Sequence, residues 1–336
     1  MFVRVQTSIK AYLTVCASPK EPLKRLEFRY AIGMSDLAFL EQYRNQTFKP
    51  GRIKTIEEAR QFVKERGVIF FWPIQNIALP SLWVAVAGDR PVASNQRDPG
   101  HVTWGWKDRM LGKKKWYYAK ILKRKGTMIS LELAPYFYAI SENYGDPEED
   151  YLEQYREGKL TSEAKQVYEV LLAEGPLHTQ LLRKKAGLKG ELYKFGKALE
   201  ELQADFKVLP TAVVKAGRWK YAFAYECVHR HYPEFLQQAR AIDGIEARAR
   251  ILEAYFRSLG ASLLSDIRKL FGWDLDDTLE ALEALVSRGI LIGRENPDRD
   301  SVFMLADLYP QGAAPKGKSA TKSARQPLAR ASKAAQ

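Results

Sequence analysis

Apolar and polar positions recur with helical spacing along most of the chain, interrupted by short runs that read as strands. The first well-marked element is Thr55 to Arg66. Thr55 and Glu58 have the spacing of a capping box, and Gly67 supplies the stop. Val68 to Trp72 then reads as a buried strand or the start of a loop. Pro73 to Gly88 is an apolar stretch with Pro80 inside it, and Pro91 to Gly100 is a loop by composition. His101 to Ser130 is basic and aromatic. Leu133 to Tyr144 has the apolar content of a short helix, and Gly145 to Lys159 reads as an acidic linker.

Beyond the linker a pattern occurs twice, offset by about 85 residues, as a fixed-offset repeat would be. Ser162 to Glu174 and Ile245 to Leu259 are amphipathic helices, closed by Gly175-Pro176 and Gly260-Ala261. Short helices follow at His178 to Ala186 and Leu263 to Phe271, ending in Gly187-Leu188 and Gly272-Trp273. Third helices follow at Glu191 to Ala204 and Asp276 to Arg288. Each repeat closes with a strand, loop and strand, over Phe206 to Tyr225 and Ile290 to Leu305. Helix, short helix, turn, helix and hairpin is the order of a winged helix, a helix-turn-helix with a β-ribbon appended. Thr55 to Ile140 reads as a third, more divergent unit closed by a hairpin around Lys113 to Leu131. The predicted class is therefore α+β, mostly helical with small β-hairpins, arranged as tandem winged-helix units. Its expected divisions are an N-terminal extension over 1–33, a divergent unit over 34–144, a linker over 145–160, winged helices over 161–228 and 229–310, and a basic tail over 311–336.

Charge sharpens this picture. The 336 residues carry a formal net charge of +13, and its placement matters more than its sum. The tail from Gln311 to Gln336 holds Lys316, Lys318, Lys322, Arg325, Arg330 and Lys333, with no acid and almost no large apolar residue, so it is expected to be disordered. Met1 to Gly33 is also basic; it lacks the apolar run of a secretory signal, and either Met1 or Met34 can be the start of translation. Lys107 to Lys125 is densely cationic, and the rest of the folded part is net acidic. A patch this concentrated is the electrostatic footprint of a polyanion partner. The expected compartment is cytoplasmic, in association with the nucleoid, and no run is apolar enough for a membrane.

The strongest patch interleaves Lys113, Lys114, Lys115, Lys120, Lys123, Arg124 and Lys125 with Trp116, Tyr117 and Tyr118. Lysines meet phosphates as point charges, and aromatic faces stack on exposed bases. His101, Trp104 and Trp106 add rings upstream. In the first repeat, Arg183, Lys184, Lys185, Lys189, Lys194 and Lys197 lie on the turn and third helix. Its wing carries Lys215, Arg218, Trp219 and Lys220 around Gly217. The second repeat instead has Asp274, Asp276, Asp277, Glu280 and Glu283 on its third helix, a face that phosphates would repel. Cys16 and Cys227 have no metal-ligand spacing, and His229 and His231 share a face only on a strand, so no metal site is expected. Phosphate-loop and dinucleotide fingerprints are missing, and no cofactor is expected.

Several of these residues resemble the AlkZ/YcaQ family of bacterial DNA glycosylases, and most of all its divergent AlkZ-related branch. The likeness is strongest over Glu246 to Leu285, with Ala249-Arg250-Ile251-Leu252, Tyr255-Phe256, Leu259-Gly260, Asp266 and Gly272-Trp273. Lys125-Gly126-Thr127-Met128-Ile129 is similar to the family's Arg-Gly-Thr-Leu-His segment. Ile74-Gln75-Asn76-Ile77 with Leu82-Trp83 is similar to its Leu-Gln-x-Gln followed by Leu-Trp. The resemblance implies a tandem winged-helix scaffold, DNA as partner, and removal of alkylated or crosslinked bases through a Gln-x-Gln or Gln-x-Asp motif. Gln75 matches the first position, but Ile77 stands at the second and Ile129 replaces the histidine. Glutamine orients water without readily taking its proton, a carboxylate does both, and isoleucine does neither. Asp89, Asp108 and Glu132 are the nearest carboxylates in sequence.

Three readings follow. The first is a noncatalytic protein that binds double- or single-stranded DNA through a basic-aromatic cleft. The second is an active glycosylase with Gln75 as its catalytic residue. The third is a transcriptional regulator, which would need an effector site or a dimer helix, and the chain has no long heptad segment.

Overall fold

Thr55 accepts a hydrogen bond from the Glu58 amide, while the Glu58 carboxylate accepts from the Thr55 amide. The expected capping box therefore forms, and it opens a helix over Ile56–Arg66 with Ala59, Phe62 and Val63 buried. The computed structural model describes residues 34–308 except 142, 144, 218, 219 and 295–299. The expected extension, the basic tail, Arg218 and Trp219 lie outside the described residues.

The chain is α+β: mostly helical, with three small antiparallel sheets. After α1 (Met34–Phe48), one order of elements occurs three times. The first set is α2 (Ile56–Arg66), β1 (Val68–Phe70), α3 (Leu82–Ala87), α4 (Val102–Met110), β2 (Tyr117–Lys120) and β3 (Gly126–Ile129). Two short helices follow, α5 (Ala134–Ala139) and α6 (Asp150–Arg156). The second set is α7 (Ser162–Glu174), β4 (Leu177–His178), α8 (Thr179–Lys185), α9 (Leu192–Ala204), β5 (Val208–Val214) and β6 (Ala222–Cys227). Next come α10 (Val228–His231) and α11 (Pro233–Ala239). The third set is α12 (Gly244–Leu259), β7 (Ala261–Leu263), α13 (Leu264–Phe271), α14 (Leu275–Ser287), β8 (Leu291–Arg294) and β9 (Val302–Leu305). In every set the last strand is central, giving the orders β1-β3-β2, β4-β6-β5 and β7-β9-β8.

One sequence expectation is corrected here. The segment 145–160 is no bare linker. It folds into α6, whose Tyr151 and Gln154 are buried, with the Tyr151 ring edge-on to Tyr168 at 5.3 Å. Acidic residues mask that signal because they occupy only the outer face. His229 and His231 fall on helix α10 and not on a strand, so their spacing points the two rings apart. Burial holds both imidazoles below their ordinary value of 6.5.

The second set has its own core around Tyr168, Leu171, Leu182, Phe195, Leu202 and Cys227. The first and third share one, in which Val68, Phe70, Tyr117 and Ile129 meet Phe137, Tyr232, Phe256 and Leu282. α5 is the hinge of that union, lying against both α11 and α12. The second set is held to the first where α9 and β5 meet β2. At that seam Gly112 has φ +69, and a Cβ on it would lie 2.5 Å from the Thr211 carbonyl oxygen. Only glycine allows both the left-handed turn and the close approach. Among the described residues no helix is long and apolar enough to cross a membrane, and no group of His, Cys, Asp and Glu can hold a metal ion.

Candidate nucleic-acid interface

The β2–β3 hairpin carries the densest cations, and strand alternation decides which of them face outward. Tyr117 and Ala119 are fully buried in β2. Tyr117 pairs with Ile129 and stacks on Phe206 at 4.7 Å. Trp116 is also core, at 2% exposure. The expectation that Trp116 and Tyr117 stack on bases is therefore corrected: both rings are spent on packing. The strand, being core, divides the cations between its two ends. A four-residue strand spans roughly 13 Å, so the expected single patch is two.

At the first end, Lys113, Lys114 and Lys115 are exposed. Lys114 and Lys115 line a cleft of 430 Å³ with Arg60 and Lys64 of α2, opposed by Glu57 and Glu132. Lys114 Nζ also lies 5.3 Å from the Tyr232 ring centre. At the other end, Lys123, Arg124 and Lys125 are exposed. Lys123 and Arg124 both have φ +54, so the turn projects them with left-handed backbone. Among the described residues none of these three pairs with a carboxylate. Lys120, between the two ends, is bound to Glu200 at 3.0 Å. Burial works against the Glu200 carboxylate, but hydrogen bonds from Lys120 and Lys197 hold it below the usual range.

Gln75 belongs to the second end. It is exposed in a turn closed by the Ile77 amide on the Ile74 carbonyl at 3.3 Å, with Asn76 at φ +59. The turn is anchored from two sides. Upstream, the Phe71 amide donates to the Gly126 carbonyl at 2.8 Å, tying this strand exit to the end of the cation turn. Downstream, Lys269 Nζ of α13 donates to the Asn76 carbonyl at 3.1 Å. α13 also packs against the Leu122–Arg124 turn. The glutamine turn and the cation turn thus share one neighbour. Among the described residues no carboxylate hydrogen-bonds the Gln75 amide. Ile77 packs half-buried on the core and Ile129 is fully buried. The three carboxylates nearest in sequence are engaged elsewhere. Asp89 pairs with Lys49 at 3.2 Å, Glu132 with Lys64 at 3.5 Å and Asp108 with Lys107 at 2.9 Å.

The cations of the second set separate in the same way. Lys185 pairs with Glu174 at 2.5 Å, and Lys194 with Glu191 at 2.7 Å and Glu163 at 3.3 Å. Hydrogen bonds to those two carboxylates raise the Lys194 pKa. Lys197 reaches Glu200 at 3.1 Å. Among the described residues Arg183, Lys184 and Lys189, with Lys215 and Lys220 of the β5–β6 loop, have no such partner. All but the half-buried Arg183 are exposed.

One buried group was not legible from the sequence. Lys107 of α4 has a side chain only 2% exposed. Its Nζ lies 4.2 Å from the Trp104 ring centre, 4.7 Å from Phe223, and 5.5 Å from both Phe71 and Tyr118. Burial pushes its pKa down, and the Asp108 carboxylate opposes that shift. Tyr221 completes the group. Its hydroxyl donates to Asp108 at 3.0 Å and accepts from Trp104 Nε1 at 3.1 Å. Nothing in the cationic run marks Lys107, because its cage is drawn from α4, β2, β6 and the residue that follows β1.

A family model described as AlkZ related matches residues 53–272. Among solved structures, the Streptomyces sahachiroi DNA glycosylase AlkZ is similar at 12% identity and a TM-score of 0.49, over 82% of this chain and 70% of that one. No curated protein matches.

Proposed function

The chain belongs to the AlkZ-related family, and from that premise we propose that it is a DNA-binding protein of DNA repair, built from tandem winged-helix units. Three sets with one element order, each a helix trio followed by a two-stranded ribbon, support the winged-helix reading. The observation that carries DNA binding is the Lys123-Arg124-Lys125 turn. It projects three cations, unpaired among the described residues, beside an exposed polar turn and against α13. Surface cations without carboxylate partners are free to displace the counterions of a phosphate chain, and that release drives association. A mobility-shift titration with single- and double-stranded DNA at low salt tests this. Salt-sensitive binding is expected, and no detectable shift with either form would refute it.

On this reading the protein binds without cutting the glycosidic bond. Hydrolysis needs a group that takes the proton of the attacking water. Ile77 and Ile129 fill with packing side chains the two positions where the family resemblance implies polar ones. The second reading, an active glycosylase, is favoured by one observation: the Gln75 amide is exposed beside the cation turn, free to orient a water. Incubation with alkylated or crosslinked duplex, followed by alkali, separates the two. Strand breaks abolished by Gln75→Ala would establish catalysis. Their absence at high protein excess would leave binding alone.

A further inference from the structure

We propose that Trp72, Trp104 and Tyr221 form a shelf on which unpaired nucleobases of a DNA strand stack. This inference rests on the DNA-binding reading and assigns it a second, non-electrostatic contact. Trp72 and Trp104 lie with ring centres 5.6 Å apart, and Trp104 and Tyr221 follow at 6.5 Å. Both indoles are half-buried and Tyr221 is 39% exposed.

Exposed Trp and Tyr side chains usually keep the polar tip in water and the ring in the core. Here the polar tips of two rings are turned toward protein. The Trp104 N–H is bound to the Tyr221 hydroxyl, and that hydroxyl is bound to Asp108. Burial raises the Tyr221 pKa, in keeping with a hydroxyl withdrawn from water on a residue that is otherwise exposed. What Tyr221 leaves to solvent is therefore apolar ring. The helix backbone next to Trp104 is bare as well. Gly105 lies in the middle of α4, and a Cβ there would meet nothing within 4 Å. Glycine inside a helix costs about 1 kcal/mol against alanine. The open space there leaves room for a ligand to approach the backbone.

The surrounding charge selects the ligand. Lys215 and Lys220 flank the loop that leads into Tyr221, Arg109 is exposed one turn beyond Gly105, and the Lys123–Lys125 turn leads into Gly126. A Cβ on Gly126 would meet the Tyr118 hydroxyl at 3.0 Å and Phe71 Cβ at 3.3 Å, which places the cation turn against the base of the shelf. Lys107 beneath Trp104 holds the ring in place before any ligand arrives. Successive rings are tilted 47° from one another, so each offers its own face, bordered by cations, to one unstacked base, and each base contributes through its own face whatever its identity. Duplex DNA keeps its bases stacked and offers the shelf nothing.

The test measures affinity for an oligothymidylate and for a duplex of equal length, at low and high salt. The shelf predicts that Trp104→Leu and Tyr221→Leu each weaken oligothymidylate binding by about fivefold or more. That factor should be the same at both salt concentrations, with duplex affinity unchanged, and Trp104→Phe should retain most of the binding. Tyr221 lies at the edge, so its variant carries the result if Trp104→Leu fails to fold by circular dichroism. Unchanged single-strand affinity in the folded variants, or equal losses for both ligands, overturns the shelf while leaving cation-driven DNA binding intact. Wild-type protein that binds neither ligand overturns both.

Discussion

Replacing Lys123, Arg124 and Lys125 together with alanine removes the cations of the turn beside Gln75. All three are exposed and, among the described residues, free of carboxylates. Each phosphate contact on duplex DNA contributes about 0.9 to the slope of log affinity against log salt. Three contacts thus account for roughly 2.7 of that slope. Between 50 and 200 mM salt the wild type should lose about 40-fold more affinity than the triple variant. The control is a second triple, Lys120→Ala, Lys185→Ala and Lys194→Ala. These ammonium groups are already neutralised by Glu200, Glu174, and Glu191 with Glu163. They displace few counterions, so their removal should change the slope by less than about 1. Fluorescence anisotropy with a labelled duplex across the salt range measures both slopes. Surface changes of this kind shift stability by about 0.5 kcal/mol or less, so the first triple should fold; in the control the loss of half-buried Lys120 leaves Glu200 to Lys197 alone, and circular dichroism checks its fold. Equal slope changes from the two triples, or none from the first, would refute the argument that ion pairing decides which cations meet phosphate.

Three further outcomes are expected. Asp108→Ala strips the buried Lys107 of its carboxylate and should cost about 3–5 kcal/mol in urea unfolding, while Lys107→Met with Asp108→Ala should recover most of that loss; equal destabilisation would show that the cage does not hold a charged lysine. Gly112→Ala combines a left-handed φ of +69 with a Cβ 2.5 Å from the Thr211 carbonyl, whereas Gly187 has φ +73 and open space. Gly187→Ala should cost about 1–2 kcal/mol for backbone alone and Gly112→Ala clearly more, the difference in urea midpoints reading the seam between the first two sets. Burial holds His229 and His231 below their ordinary 6.5, so as pH falls through that value the unfolded chain takes up protons first. Their contribution should lower the thermal midpoint between about pH 7 and pH 5, and His229→Gln with His231→Gln should flatten that slope.

Much of the fold was legible because local signals agreed with the final packing. The capping box at Thr55 and the stops at Gly67, Gly260 and Gly272 all form as their residues imply. The 85-residue repeat was visible because both copies preserve helix spacing and glycine positions. The hairpin around Lys113 to Leu131 was legible too, and with it the first set acquires the strand order of the other two. The orientation of β2 was not legible. Lys-Lys-Lys-Trp-Tyr-Tyr reads alike whether its rings face solvent or core, and only the pairing of Tyr117 with Ile129 fixes them inward. Lys107 escaped for a different reason. A caged lysine is defined by partners from distant parts of the chain, and no spacing along the sequence marks it.

On the proposed reading, three copies of one topology need not do one task, and the ion pairs show how the third can differ. Its α14 begins with Asp274 as cap, accepting from the Asp277 amide, and carries Asp276 and Asp277 in the first turn. Acids there are favoured by the helix dipole. Asp277 also binds Arg248, and Glu246 binds Arg288, so part of this charge ties α14 to α12. An end already committed to capping and to a neighbouring helix is poorly placed to meet phosphates. The third set instead touches the interface through α13, whose Lys269 fixes the Asn76 carbonyl and so the turn that carries Gln75. The first two sets would then supply cations and rings, while the third holds the glutamine turn in register with them.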